Sequence, residues 1–254
     1  DLLANDTIKC AGEKINVVVP TGNFGNILAA YYAKKMGLPV HKLICASNSN
    51  NVLTEFINTG VYNRKREFHT TISPSMDILV SSNLERLLYD LTENDSERVV
   101  GWMKELAANG RYQVGDDVLC PLHELFYAGY CDDEETKEAI KELYDSEHYL
   151  CDTHTANVYQ QYVKNSKDTE TVSVIVSTAS PYKFADSVLS AVSDQYQKDE
   201  PEFDKIQKLS ELTGTAVPPQ IAELQAKTVR FGTICSRENM KEIVLKTAKI
   251  EPQA

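Results

Sequence analysis

Several features are scarce in this sequence of 254 residues, and each absence narrows what the protein can be. No uninterrupted apolar stretch approaches the roughly 18–20 residues that a membrane-spanning helix needs. Six cysteines stand at 10, 45, 120, 131, 151 and 235, and no two form a C-x-x-C pair. Their long gaps argue for reduced, mostly buried thiols in a cytoplasmic protein rather than a disulfide framework. The five histidines never fall four apart on a helix, and no zinc-ligand spacing occurs, so a metal site is not expected. Basic side chains are outnumbered, 26 against 37 acidic, for a net charge of −11. A surface of that sign repels phosphate backbones and anionic lipid, which argues against nucleic acid and membranes as partners. A small anion is still admissible, because backbone dipoles can hold one locally. The start, "DLLANDTIKCAGEKINVVV", has neither a basic flank with an apolar core nor an initiator methionine. A signal peptide is therefore not expected there, and a piece of a longer chain is.

What is present reads as strands alternating with helices. Residues 15–20 form a short valine-rich run of the kind buried on both faces of a parallel sheet. A helix over 27–36 follows, stopped by Gly37 and Pro39, and "VHKLICA" (40–46) is a second strand. Strand, helix and strand in about 30 residues make a βαβ unit. Further helices are expected at 51–59, 83–91, 95–109, 132–147, 155–164, 182–193 and 238–249. Residues 66–71 read as extended, 172–177 as the cleanest late strand, and 229–235 as an edge strand. Residues 196–215 hold a surface helix and loop, and Val217-Pro218-Pro219 opens another helix. The class is α/β, a mostly parallel twisted sheet with helices on both faces.

The turn Thr21-Gly22-Asn23-Phe24-Gly25-Asn26 lies at the carboxyl end of the first strand, where such sheets bind ligands. Glycines there permit close backbone approach and positive φ, and the next helix offers unpaired N–H groups and its dipole to an anion. The turn lacks the Lys-Ser/Thr of a P-loop and the spacing of a dinucleotide fingerprint. It reads either as a phosphate cradle or as a tight connector whose asparagine caps the helix.

The string "PTGNFGN" after a valine-rich strand resembles the phosphate cradle of pyridoxal-phosphate enzymes of the tryptophan-synthase-β type, the fold type II family, and most closely that of the threonine synthases. The resemblance continues in order through "SNSNNVLTEFINTGVY" (47–62), "TISPSMDILVSSNLERLL" (71–88), "DTHTANVY" (152–159), "STASPYKF" (177–184) and "ELTGTAVPPQIAELQAKTVRF" (211–231). It implies the large domain of such an enzyme with its N-terminal part missing, so that 1–254 is the C-terminal part and about 200–254 a C-terminal extension. It implies pyridoxal 5′-phosphate as cofactor and conversion of O-phospho-L-homoserine and water to L-threonine and phosphate. Its alternatives are a threonine-synthase-like phospho-lyase, another eliminase of the family, or a phosphate-binding module without chemistry.

By the same resemblance Gly22, Asn23, Phe24, Gly25 and Asn26 line the cofactor phosphate, and Thr178 faces the pyridine nitrogen. A neutral hydroxyl there leaves that nitrogen free of the proton a carboxylate would favour. Taken alone, Thr178 is an ordinary strand-end threonine. His154 and Thr155 lie near the site, or are a surface histidine and a helix-capping threonine. Asp77, Ser81, Asn83 and Arg86 line a substrate path, or belong to a solvated face with Glu85. The resemblance places the Schiff-base lysine upstream, so this chain is expected to carry no catalytic residue and to be inactive without the N-terminal part. Lys9 and Lys14 sit in a polar approach segment, and the family does not use the Lys183 position for that bond.

Overall fold

The computed structural model describes residues 2–165, 168 and 170–250. The chain divides into two compact units, Asp1–Val217 and Pro218–Ala254. The first unit is built on β1 (Ile15–Pro20), α1 (Gly25–Lys35), β2 (Val40–Ser47) and α2 (Val52–Thr59). Then come β3 (Val61–Asn63), α3 (Leu84–Leu91), α4 (Ser96–Asn109), β4 (Arg111–Gln113) and α5 (Asp116–Leu125). They are followed by β5 (Phe126–Tyr130), α6 (Asp133–Glu147), α7 (Thr153–Asn165), β6 (Val172–Ile175), α8 (Ala185–Val192) and α9 (Glu202–Thr213).

Four strands form one parallel sheet in the order β5-β2-β1-β6, with Val18 opposite both Ile44 and Ile175. β1 is central, and all six of its residues are buried, which is why its sequence runs apolar without alternation. Its side chains still divide by parity. Ile15, Val17 and Val19 face a large core with Phe24, Ile27, Leu28 and Tyr31 near and on α1, and with Leu53, Phe56 and Ile57 on α2. Val18 faces a small cluster with Ala46 and Val158, the last on α7. Helices thus cover both faces, and the βαβ unit stands as expected.

Several elements depart from the sequence reading. β5 was not foreseen: "FYAGY" leaves Tyr127 and Tyr130 half-exposed on an edge strand, so its apolar signal is weak. The antiparallel pair β3–β4 was also missed, since three-residue strands are too short to show alternation. It is held by Tyr62 stacked on Tyr112, ring centroids 5.2 Å apart. Residues 66–71 join no ladder. The helix expected over 182–193 opens as a 3-10 turn, Pro181–Phe184, before α8. Three cysteines are buried (45, 131, 151) and three exposed (10, 120, 235), so burial is less general than expected. Burial pushes the Cys45 thiol up to about 12.

The second unit carries α10 (Pro219–Ala222) and α11 (Met240–Ala248). No strand forms over 229–235, where Val229, Phe231 and Ile234 are more than four-fifths exposed. β-propensity alone does not make a strand when no neighbour pairs its backbone. The extension expected over about 200–254 is described only to 250, and α9 at its start belongs to the first unit.

Candidate functional site

The turn after β1 is anchored before it becomes available to a ligand. Thr21 continues the ladder, its N–H donating to Ala46 C=O at 2.8 Å and its hydroxyl to Val19 C=O at 2.8 Å. Gly22 then passes under a neighbouring segment. A Cβ there would lie 2.9 Å from Met76 Cα and 3.1 Å from Ser75 O, so no other residue fits without displacing backbone. Asn23 accepts from both the N–H and the hydroxyl of Ser82 at 2.7 Å, and its own C=O accepts from the Asn83 amide at 2.7 Å.

The left-handed residue of the turn is Phe24 (φ 61°, ψ 11°), and neither glycine of the turn has a positive φ. For a residue with a Cβ that conformation costs roughly 1–2 kcal/mol. Phe24 is buried against Phe126, centroids 5.9 Å apart, and burial of such a ring contributes roughly 1.5–3 kcal/mol, enough to hold it. No protein atom demands a glycine at position 25. A Cβ on Gly25 would meet only the Asn83 amide, at 3.7 Å, an ordinary contact.

Phe24 is also the N-cap of α1, with no side-chain cap bond. The first backbone bond of the helix is Leu28 N–H to Phe24 C=O. The N–H groups of Gly25, Asn26 and Ile27 therefore precede any intrahelical partner. An uncapped helix start carries a partial positive charge and fits an oxyanion group such as a phosphate. The capping-asparagine alternative does not describe the turn, because neither asparagine caps α1.

A cleft of about 320 Å³ opens at this point. Gly22, Asn23, Phe24, Gly25, Asn26, His154 and Thr178 all line it, so seven of the expected site residues meet in one place. Asn83 lines it too, while Asp77, Ser81 and Arg86 do not. Asp77 instead accepts from the amides of Asn48 and Asn50 at 2.7 and 3.0 Å and from the Thr71 N–H at 2.9 Å, which fixes the loop before residues 74–76. Ser81 is buried and donates its N–H to the Tyr62 hydroxyl, and Arg86 is hydrogen-bonded to the Asn83 side chain.

His154 is not a surface residue; it is 3% exposed. The Ser75 N–H donates to its Nε2 at 3.2 Å, and its Nδ1 is hydrogen-bonded to Asp152 at 3.1 Å. Its ring leans on Phe184 at 4.8 Å. Thr155 does not cap the helix. Asp152 does, accepting from the N–H groups of His154 and Thr155, and Thr155 spends its hydroxyl on the same carboxylate and reaches Ser177 at 3.3 Å. Burial pushes the Asp152 carboxyl up, and the hydrogen bonds from His154 and Thr155 more than offset this, holding it below its ordinary value. Asp152 was missed because an aspartate before a helix normally signals only a cap. The "DTHT" string already contained Asp152, His154 and Thr155, though not Ser75.

Pro20, Thr21, Ser75, Met76, Ala179 and Lys183 complete the lining. No acidic side chain among the described residues lines the cleft, although the chain carries 37. Among the described residues no group of histidine, cysteine and carboxylates could hold a metal ion, and no helix is long and apolar enough to cross a membrane.

A family model for "Threonine synthase, C-terminal" matches residues 155–244. The threonine synthase of Saccharomyces cerevisiae is 41% identical over 197 residues, covering 71% of this chain and 38% of that protein. The threonine synthase-like 1 protein of Homo sapiens is 42% identical over 183 residues, covering 71% of this chain and 24% of that one. Among solved structures, the PLP-bound threonine synthase from Brucella melitensis matches with a TM-score of 0.81 at 31% identity, covering 97% of this chain and 48% of its own. The chain spans less than half the length of each of these relatives.

Proposed function

We propose a function for this chain from its place in the threonine synthase family, to whose C-terminal part it belongs. It supplies the phosphate cradle and the ring-facing wall of a pyridoxal-phosphate lyase that converts O-phospho-L-homoserine and water to L-threonine and phosphate. The observation that carries this reading is the uncapped start of α1 opening into a cleft without carboxylates.

The N–H groups of Gly25, Asn26 and Ile27 would hold the cofactor phosphate, with the Asn26 amide beside them. Asn23 is oriented by Ser82, and its amide nitrogen has no partner among the described residues. The Thr178 hydroxyl, on the loop after β6, would meet the ring nitrogen without protonating it. When bound, the cofactor supplies an electron sink for carbanions formed next to it. His154, bonded to the Ser75 N–H and to Asp152, holds the Ser75–Met76 wall in place. No lysine of this chain is assigned to covalent attachment of the cofactor, and that role falls to the N-terminal part of the protein.

The second reading is a threonine-synthase-like phospho-lyase, kept because the human relative is named threonine synthase-like 1 and matches at a similar identity. The test is an assay of the full-length protein with O-phospho-L-homoserine and pyridoxal phosphate. Threonine and phosphate released in equal amounts support the synthase. Phosphate without threonine supports the phospho-lyase, and release of neither overturns both. The chain of residues 1–254 assayed alone is expected to release no phosphate.

A further inference from the structure

Lys183 lines the cleft with no carboxylate to neutralise it. Seven described lysines, at 35, 137, 141, 164, 205, 208 and 227, form ion pairs with acidic side chains, and Lys183, exposed, is among the others that form none. Its position is built. Ser180 accepts the Tyr182 N–H at 3.3 Å and Pro181 opens the 3-10 turn. The buried Tyr182 anchors its hydroxyl to the Thr215 C=O at 2.8 Å and the Thr215 hydroxyl at 2.7 Å. The ammonium of Lys183 lies 5.4 Å from the ring centre of Phe184, whose own ring leans on His154. The turn therefore brings an exposed lysine without an ion-pair partner to a cleft that no acidic side chain of the described residues lines.

Two separate features of this cleft attract negative charge. The α1 N-terminus lies after β1, and Lys183 lies after β6, the neighbouring strand of the sheet. The N–H groups at the α1 start supply enough donors for one phosphate, which leaves the lysine free for another. We infer that Lys183 anchors a second phosphate dianion, the one carried by the substrate, and not the cofactor phosphate held by the turn. The inference rests on the reading above for the identity of the two anions. Lysine suits a leaving phosphate, since it acts as a point charge and keeps hold of the group as its charge grows.

The test uses pyridoxine 5′-phosphate, which has the cofactor's phosphate and ring but no aldehyde to react with lysines. With the chain saturated by it, inorganic phosphate is titrated calorimetrically. One further phosphate is expected to bind. Lys183→Gln should weaken that phosphate at least tenfold and leave the pyridoxine 5′-phosphate affinity within twofold, while Lys183→Arg restores most of the phosphate affinity. The inference is overturned if no second phosphate binds, if Lys183→Gln leaves it unchanged, if both ligands weaken alike, or if acetate binds the second site as well as phosphate does. If the wild-type chain fails to hold pyridoxine 5′-phosphate, the cofactor reading falls. Phosphate titrated alone then decides the anchor, kept by a tenfold loss in Lys183→Gln and refuted by none.

Discussion

Two of the loops that line the cleft are built from opposite materials. The turn after β1 leaves a strand with every residue buried, is pinned by Thr21 and Gly22, and drives Phe24 into the core. The loop after β6 leaves an edge strand whose four residues are all only partly buried, and Ser177 and Thr178 are exposed. Preorganisation is thus concentrated on the side proposed to hold the phosphate. The side proposed to meet ring and substrate is fixed further along, at Tyr182. The lesson is that a site's charge-binding part can be set by core packing, while its reactive part is left to contacts from elsewhere.

Substitutions on the two loops should separate these roles. The largest effect is expected from Phe24→Ala, which removes a buried ring at a left-handed position. A loss of about 3–5 kcal/mol in a urea unfolding titration would match the usual cost of such a truncation. A loss below ~1 kcal/mol would show that the turn does not depend on the core. Gly22→Ala should come next, costing about 1–3 kcal/mol through the clash with Met76. Gly25→Ala should leave stability within about 0.5 kcal/mol. It should still weaken phosphate binding, because its methyl would stand in the cradle. Equal effects on stability would erase the distinction drawn between the two glycines.

Asp152 ties the two walls together through His154, so acid should act on both. Its carboxyl sits below its ordinary value in the folded chain. Its contribution to stability is therefore complete above the unfolded value of about 4 and is lost as pH falls through the lower folded one. Asp152→Asn should flatten that part of a stability–pH curve measured by thermal unfolding, and an unchanged curve would remove Asp152 from the account. The smallest effect is expected from Thr178→Ala, which should leave the melting temperature unchanged. It should weaken pyridoxine 5′-phosphate only a few-fold, the worth of one hydrogen bond of about 0.5–1.5 kcal/mol.

Much of this comparison was legible in the sequence, and the illegible part has physical causes. The β1–α1–β2 unit announced itself because a buried parallel strand has no alternation to hide it. The cradle residues stand in one contiguous string. The sequence could not show which residue of the turn bears the unusual φ. A glycine advertises that freedom, but here Phe24 takes it and the core holds it there. Nor could it show that His154 is buried, since its partners, Asp152 and Ser75, come from a helix cap and from a loop 79 residues away. The expected strand over 229–235 failed for a related reason: local propensity says nothing about whether a neighbour exists.

The central claim is that the start of α1 and its turn bind phosphate. The most direct test is a titration of the ¹⁵N-labelled chain with inorganic phosphate, following backbone amide shifts. The account predicts that the Gly25, Asn26 and Ile27 resonances move furthest, with those of Gly22 and Asn23 following at the same apparent affinity. If these stay still while amides elsewhere shift, the anion site lies elsewhere, and the turn is only a strained connector between a strand and a helix.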